Sequence, residues 1–241
     1  MWYKLKRIMM RPNGVEKQVR PSGWQPDPTR TILYLKFNNN LDDSSGNWVV
    51  VSWAWLGYWT TGNNHYAEMT GSWSQTYITP PISLWNQIWT GDFCVSLWGY
   101  PVTTTRWASC FFMAWNQNWW VPRPWIYINY GVDDGYPAMR LHTDEWKFTS
   151  NMPANQWMHM CFTRINWVVS WYINWQSLWS FNSNRNITGV DNFFILNRNT
   201  DSYQQRSQAW ARVSEVIFEK AGWDNNDVSK YYNQTKSNYG L

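Results

Sequence analysis

Short runs of apolar and polar residues in β-type patterns dominate the chain from residue 31 onward. The first run, TILYLKF at residues 31–37, alternates, is rich in β-formers and ends in the turn cluster Asn38-Asn39-Asn40. Similar runs, separated by loops of Asn, Gly, Ser, Thr, Asp and Pro, occupy residues 65–69, 93–100, 107–114, 125–130, 138–142, 156–164, 168–173, 192–196 and 209–219. Many short strands at a spacing of roughly ten residues predict an all-β sandwich or jelly roll of two sheets.

One short helix is predicted near the C-terminal end. Asp224 can cap it, and Asp227 places an acid in its first turn. Val228, Tyr231 and Tyr232 then share one face at i, i+3 and i+4 spacing. We expect this helix to pack on the sandwich through that face.

The first thirty residues differ from the rest in charge and in proline content. Residues 1–30 contain Pro12, Pro21, Pro26 and Pro28, which disfavour regular helix and central strand alike. They carry a net charge of +5, whereas the whole chain is +4, so residues 31–241 are close to neutral. We predict a basic, extended N-terminal arm over residues 1–30 and a single domain over residues 31–241. The arm either docks on an acidic partner or a neighbouring subunit, or is a solvated tail.

Composition excludes several classes of protein. The chain is 44% hydrophobic and 15% charged, which is not the composition of a disordered chain. Mean hydropathy is −0.57, and no apolar run approaches the roughly 18 residues of a membrane span. The charged start, MWYKLKR, does not fit a secretion signal of the usual kind. Because the sandwich lacks excess positive charge, nucleic-acid binding is not expected.

Few residues suggest catalysis. Cys94, Cys110 and Cys161 all lie in strand-like runs, and we interpret them as buried free thiols. His159 falls on a predicted core strand, where a lone histidine is usually a hydrogen-bonded structural residue. Glu215 and Glu219 share one side of a strand but lack the spacing of a glycosidase carboxylate pair, and we interpret them as solvated.

Several motifs in order resemble laminin-G-like, concanavalin A-like lectin domains. The resemblance covers about residues 31–241 and rests on the segments 34–47 (YLKFNNNLDDSSGN), 91–101 (GDFCVSLWGYP), 155–164 (NQWMHMCFTR), 172–178 (YINWQSL) and 213–218 (VSEVIF), followed by the closing helix at 227–239. It implies a concanavalin A-like two-sheet β-sandwich with one short C-terminal helix. The known use of this family is carbohydrate or protein binding on surfaces, in adhesins and in bacteriophage tail and fibre proteins.

The resemblance therefore implies a non-catalytic binding or structural module. We expect a virion protein of a tail or fibre, or an extracellular surface protein, that recognises a glycan or a partner protein and assembles through its arm. One alternative is a capsid or tail decoration protein without a ligand. The other is a glycan hydrolase of the same fold.

Two sets of residues are candidates for a binding site. Exposed indoles can stack on sugar rings, and Trp119-Trp120 before VPRP forms the most suitable loop. Some relatives bind calcium, which prefers carboxylate and carbonyl oxygens. The candidate calcium ligands are the loop aspartates Asp42, Asp43, Asp133, Asp134 and Asp201. They lack the spacing of an EF-hand, and paired loop aspartates are more often solvated or turn-forming.

The tryptophan content is anomalous. The chain has 23 Trp and only 13 Gly, although a loop-rich β-protein needs many glycines. Several tryptophans stand where the surrounding residues favour glycine or another small residue: Trp48, Trp53, Trp55, Trp59, Trp73, Trp167 and Trp175. By contrast, Trp98, Trp157 and Trp223 coincide with aromatic positions of the family. We hypothesise that many of the others are glycines in the natural protein, because genetic codes differ in reading UGA as Trp or Gly.

Overall fold

The computed structural model describes residues 27–54, 56–62, 64–69, 77–88, 91–102, 110–115, 126–132, 136–141, 144–147, 155–184, 187, 190, 192–196 and 211–241. Within them the strands are β1 (Thr31–Leu35), β2 (Ser52–Ala54), β3 (Leu56–Thr61), β4 (Asn64–Met69), β5 (Tyr77–Thr79), β6 (Phe93–Pro101), β7 (Cys110–Trp115), β8 (Ile126–Val132), β9 (Tyr136–Leu141), β10 (Asp144–Lys147), β11 (Met158–Ile165), β12 (Val168–Ile173), β13 (Gln176–Asn182), β14 (Asn192–Ile195) and β15 (Ala211–Glu219). The helices are α1 (Ile82–Trp85) and α2 (Asn225–Thr235), and a 3-10 turn covers Lys236–Tyr239.

The strands form two antiparallel sheets. The first sheet has the order β13-β12-β11-β6-β15-β4-β3, with β1 also paired to β15. The second has the order β10-β9-β8-β7-β14-β5-β2. A bulge at Glu215, whose φ is 48°, divides β15, so that β4 pairs with its first half and β1 with its second. This architecture confirms the predicted all-β sandwich.

The main core lies between the sheets. Alternate residues of β6, namely Phe93, Val95 and Leu97, face this core, as the alternation in the sequence predicts. Trp85 of α1 is fully buried near its centre. The Trp85 ring stacks on Phe218 at 5.4 Å, and its Nε1 donates to the Ile187 carbonyl at 2.8 Å. A large aromatic side chain with a satisfied polar atom therefore joins the two sheets.

A second, smaller core lies on the outer face of the first sheet, beneath α2. Cys94 and Trp98, the residues that alternate with those of the main core, meet Val228, Tyr231 and Tyr232 there. Asp224 caps α2 and forms a reciprocal capping box with Asp227. The predicted helix, its cap and its packing face are thus all confirmed. Neither helix among the described residues has the length and apolar character to cross a membrane.

The two hairpins that flank β12 have very short turns. Asn166-Trp167 joins β11 to β12 with φ values of 48° and 69°, and Asn174-Trp175 joins β12 to β13 with 47° and 69°. Positive φ at both central residues defines the type I′ turn, in which the second position favours glycine. Trp48 also has a positive φ, 57°. Three of the tryptophans whose surroundings favour glycine in the sequence therefore have a left-handed backbone.

Residues 1–26, most of the predicted arm, lie outside the described residues. From Asp27 onward the chain is held to the sandwich. The Lys220 N–H donates to the Arg30 carbonyl at 3.0 Å, and the Arg30 guanidinium lies 3.6 Å from the Glu219 carboxylate. The boundary between the arm and the domain stays a prediction.

Candidate binding site

A cleft of about 640 Å³ opens beside two edge strands of the sandwich. It is formed by the loop that leads from β1 to β2, by β2 itself and by β3, and its lining comprises Asn39, Asn40, Leu41, Asp42, Asp43, Trp48, Val49, Val50, Val51, Trp53 and Tyr58. Because β2 is an edge strand of the second sheet and β3 an edge strand of the first, the cleft lies where the two edges meet. A volume of this size is typical of small-ligand sites.

The wall of the cleft is aromatic. Trp53 on β2 and Tyr58 on β3 meet edge to face, with ring centroids 6.3 Å apart and planes at 76°. Trp53 is 53% exposed, so part of its indole surface is open to a ligand, whereas Tyr58 is half-buried. Burial raises the pKa of the Tyr58 phenol, which keeps its hydroxyl protonated at neutral pH. The pair offers an apolar surface beside a neutral hydrogen-bonding group.

The loop between β1 and β2 contributes polar groups to the lining of the cleft. The Asn40 amide Nδ2 donates to the Asp42 carboxylate at 2.6 Å, and both residues are exposed. This bond holds an amide and a carboxylate side by side, leaving acceptor oxygens on both groups. Such groups suit the hydroxyls of a polar ligand.

Asp43 shapes the loop from within. Its Oδ1 accepts from the backbone N–H groups of Tyr34 at 3.0 Å and Ser45 at 2.9 Å. Its Oδ2 accepts from the Ser45 hydroxyl at 2.7 Å and the Val49 N–H at 3.1 Å. A carboxylate with four donors is a structural anchor that fixes the turn. The short DDSSGN sequence is typical of such a turn and could have indicated this role.

Five of the candidate residues from the sequence lie outside the part of the chain that the structure describes, namely Trp119, Trp120, Asp133, Asp134 and Asp201. Of the calcium candidates, the structure places Asp42 and Asp43 next to each other in the cleft loop. Among the residues that the structure describes, no three His, Cys, Asp or Glu side chains are grouped to hold a metal ion. Calcium binding therefore stays a prediction.

His159 is a structural residue, as expected. It is fully buried beneath α2, and its Nε2 lies 2.8 Å from the Ser96 hydroxyl. Desolvation lowers its pKa to about 3, so the ring is neutral at physiological pH. Enclosure by protein keeps this serine–histidine pair away from any substrate.

The expectation for the two glutamates of β15 was wrong. Glu219 is buried and accepts from the Thr31 hydroxyl and the Trp223 indole, both at 2.7 Å. Glu215 accepts from the Tyr231 hydroxyl at 2.7 Å. Desolvation raises the pKa of both carboxyls. They tie α2 and the preceding loop to the sheet, because the bulged strand turns them towards the helix.

The thiols agree with their interpretation where the structure describes them. Cys94 and Cys161 are buried and free, with their sulfur atoms 3.5 Å apart. The side chain of Cys110 lies outside the described part of the chain. Cys94 and Cys161 are packing residues of the core beneath α2.

Comparisons with known proteins support the fold. No model of a known protein family matches the sequence, and no curated protein matches it. Among solved structures, domain 4 of AbnA, a GH43 extracellular arabinanase from Geobacillus stearothermophilus in complex with arabinotriose, is similar with a TM-score of 0.64 and 21% identity. That similarity covers 84% of this chain and 98% of the arabinanase domain.

Two other similar structures come from larger chains. One is described as botulinum neurotoxin type C, whose cell entry depends on interaction with two ganglioside molecules (TM-score 0.62, 14% identity, 86% of this chain and 51% of that chain). The other is a mutant of Trypanosoma rangeli sialidase displaying trans-sialidase activity (TM-score 0.67, 11% identity, 89% of this chain and 34% of that chain). This chain spans about half the length of the toxin binding domains it matches. The chain thus has a concanavalin A-like jelly-roll fold, with binding domains among its structural neighbours.

Proposed function

We propose that this protein is a non-catalytic binding module that holds a neutral oligosaccharide in the cleft between β2 and β3. The observation that carries the proposal is the pairing of an aromatic wall, Trp53 and Tyr58, with the polar Asn40–Asp42 side. A sugar ring has apolar faces and a polar rim, so it needs both surfaces at once. Stacking on an aromatic side chain and hydrogen bonds to amide and carboxylate oxygens supply them.

The charge of the cleft favours a neutral ligand. The described residues that line it include the carboxylates Asp42 and Asp43 but no Lys or Arg. An acidic sugar would meet like charge in a partly desolvated site, which is unfavourable. The arabinanase domain, which was solved with arabinotriose, offers a precedent for a neutral sugar on this fold.

The bonding of Asp43 favours binding over hydrolysis. Retaining glycosidases need two available carboxylates about 5–5.5 Å apart, one of them as nucleophile. The oxygens of Asp43 already accept four hydrogen bonds from the loop, so this carboxylate is committed to structure. Asp42 next to it acts as a hydrogen-bonding group for the ligand.

Glycan-array binding of the purified full chain tests the proposal. We expect binding to neutral oligosaccharides, arabinotriose among them, and none that depends on sialic acid. Tyr58→Ala should weaken binding at least about fivefold, because an aromatic contact of this kind is worth on the order of 1 kcal/mol or more. Trp59→Ala is the control, since Trp59 is the neighbouring aromatic residue on the same strand, is 51% exposed and does not line the cleft.

Two results would overturn this function. One is the absence of binding to any neutral glycan. The other is binding that Tyr58→Ala and Trp59→Ala weaken equally. Repeating the array with a calcium chelator separates the two site models: binding that survives chelation supports the aromatic wall, whereas binding that is lost assigns Asp42 to a calcium site instead.

We further propose that the module acts on the outside of a particle or cell, with the basic arm as its assembly segment. The concentration of positive charge in residues 1–30, set against a near-neutral domain, supports this division of roles. Lys4→Gln/Lys6→Gln/Arg7→Gln should reduce self-association of the full chain in analytical ultracentrifugation. A parent protein that is monomeric at every concentration would refute self-assembly through the arm.

A further inference from the structure

Among the residues that the structure describes, three tryptophans occupy backbone conformations that suit glycine. Trp48, Trp167 and Trp175 have φ values of 57°, 69° and 69°. In this left-handed region the Cβ of an L-residue crowds its own backbone, and a bulky side chain there is a genuine outlier. Glycine avoids the conflict because it has no Cβ.

Two of the three stand at the same position of the same kind of turn. In each hairpin beside β12, an asparagine with positive φ comes first and the tryptophan second. The pair Asn-Gly is the strongest preference of this two-residue turn, since asparagine tolerates the left-handed region and glycine prefers it. Both turns therefore have the backbone geometry of Asn-Gly turns, and only their second residue, a tryptophan, does not suit that geometry.

The indoles gain little burial in return. Trp48 is 89% exposed, and Trp167 and Trp175 are each 43% exposed. The Arg164 guanidinium lies 5.5 Å from the Trp167 ring, but its Nη2 is also bonded to the Gly91 carbonyl at 2.6 Å. Large apolar side chains at tight turns on the surface bring no packing that would explain them.

Other tryptophans behave in the ordinary way. Trp98 is fully buried, and its Nε1 donates to the Thr235 hydroxyl at 3.2 Å. Trp223 is 2% exposed, and its Nε1 donates to Glu219. The structure thus separates tryptophans that fit their sites from three that contradict the local backbone.

We infer that positions 48, 167 and 175 are glycine in the natural protein, encoded by UGA codons that its source reads as glycine. The inference is confined to these three positions. It does not extend to Trp53 of the aromatic wall, whose φ is not positive, and it does not depend on the proposed function. Glycine at position 48 would widen the rim of the cleft.

The coding sequence and the natural polypeptide together test this inference. We expect UGA codons at positions 48, 167 and 175 and UGG codons at positions 98 and 223. Tryptic cleavage of protein from the natural source yields peptide 165–185, which contains positions 167 and 175, and control peptide 221–230, which contains Trp223. Fragment masses should show glycine at 167 and 175 and tryptophan at 223.

Either of two results overturns the inference. A UGG codon at any of the three positions does so directly. Tryptophan in peptide 165–185 at position 167 or 175 does so even where the codon is UGA. Neither result bears on glycan binding, so a failure of this inference is distinguishable from a failure of the proposed function.

Discussion

Mild acid is expected to destabilise this fold through His159. The side chain is fully buried, with the rings of Tyr231 and Trp98 5.0 and 5.4 Å away and the Ser96 hydroxyl 2.8 Å from its Nε2. Burial lowers its pKa from 6.5 to about 3. Because the folded pKa is depressed, the unfolded chain takes up the proton first. The contribution to stability is complete above about pH 6.5 and is lost as the pH falls towards 3.

The size of the effect follows from the separation of the two pKa values. Each pH unit below 6.5 costs about 1.4 kcal/mol until the folded state also protonates. The loss is therefore about 2 kcal/mol at pH 5, a substantial part of the 5–15 kcal/mol that is typical of whole domains. Glu215 and Glu219 act in the opposite direction, because burial raises the pKa of both carboxyls and the folded state binds their protons more readily.

A variant without the imidazole isolates the histidine contribution from that of the glutamates. Ser96→Ala/His159→Leu removes both partners of the hydrogen bond, so that neither is left unpaired. Urea unfolding at about pH 7.5 and about pH 5 gives the loss of stability for each protein. The parent should lose about 2 kcal/mol more than the variant. His65→Gln, which leaves His159 in place, should retain the parent's acid sensitivity. Equal losses in the parent and the double variant would refute the reasoning.

Three further predictions concern packing and turns. Trp175→Gly should raise the free energy of unfolding by about 1 kcal/mol, because it relieves the left-handed backbone. Trp179→Gly, within strand β13, should lower it. Urea titration measures both changes, and a destabilising Trp175→Gly would contradict the strain argument. Burial raises the pKa of the Cys94 thiol, so Cys94 and Cys161 should resist a thiol reagent until urea unfolds the chain, as peptide mass mapping would show; rapid labelling of the native protein would contradict their burial. Trp85→Leu should cost about 2–4 kcal/mol in thermal or urea unfolding, because it leaves a cavity and an unpaired carbonyl; a loss below about 1 kcal/mol would mean that the site collapses around the smaller side chain.

The sequence pattern predicts the strands and the helix that form the core of the fold. The runs at 31–37, 93–100 and 156–164 correspond to β1, β6 and β11, and the closing helix was placed with its cap. These strands are buried over most of their length, and they belong to the sheet whose two faces meet the main core and α2. Hydrophobic patterning records such contacts, since each apolar position has a fixed partner across the layer.

The strands that the pattern missed include both ends of the main strand order of each sheet, whereas β1, which pairs only with β15, was predicted. β13 and β3 border the first sheet, and β10 and β2 border the second. β13 shows the reason most clearly, because six of its seven residues are exposed and it has no buried face to generate a period. An edge strand is defined by its backbone partner, which leaves little trace in the order of its side chains.

The candidate site could be predicted only in part from the sequence, for a related reason. The DDSSGN segment resembles a turn of the lectin-like family, and its aspartates are candidates both for calcium ligands and for turn-forming residues. In the structure, the four hydrogen bonds to Asp43 fold the loop, and Asp42 and Asn40 of that loop line the same cleft as Trp53 and Tyr58. Those bonds reach from Tyr34 to Val49, so their pattern depends on a tertiary arrangement that spacing alone does not encode.

The cleft lies at β2 and β3, two edge strands that hydrophobic patterning does not predict, and there is a physical reason for this coincidence. A residue in the middle of a sandwich is constrained on both sides, and its identity is set by packing. At the edges β2 and β3 that constraint is relaxed, so Trp53 and Tyr58 can stay partly exposed without disrupting either core. Because packing does not fix their side chains, these edge strands lack a hydrophobic pattern. For the same reason they can carry a binding surface on a rigid scaffold. In a sandwich whose core strands are predicted from its sequence, the edge strands that the sequence does not predict are therefore favourable places for a ligand site.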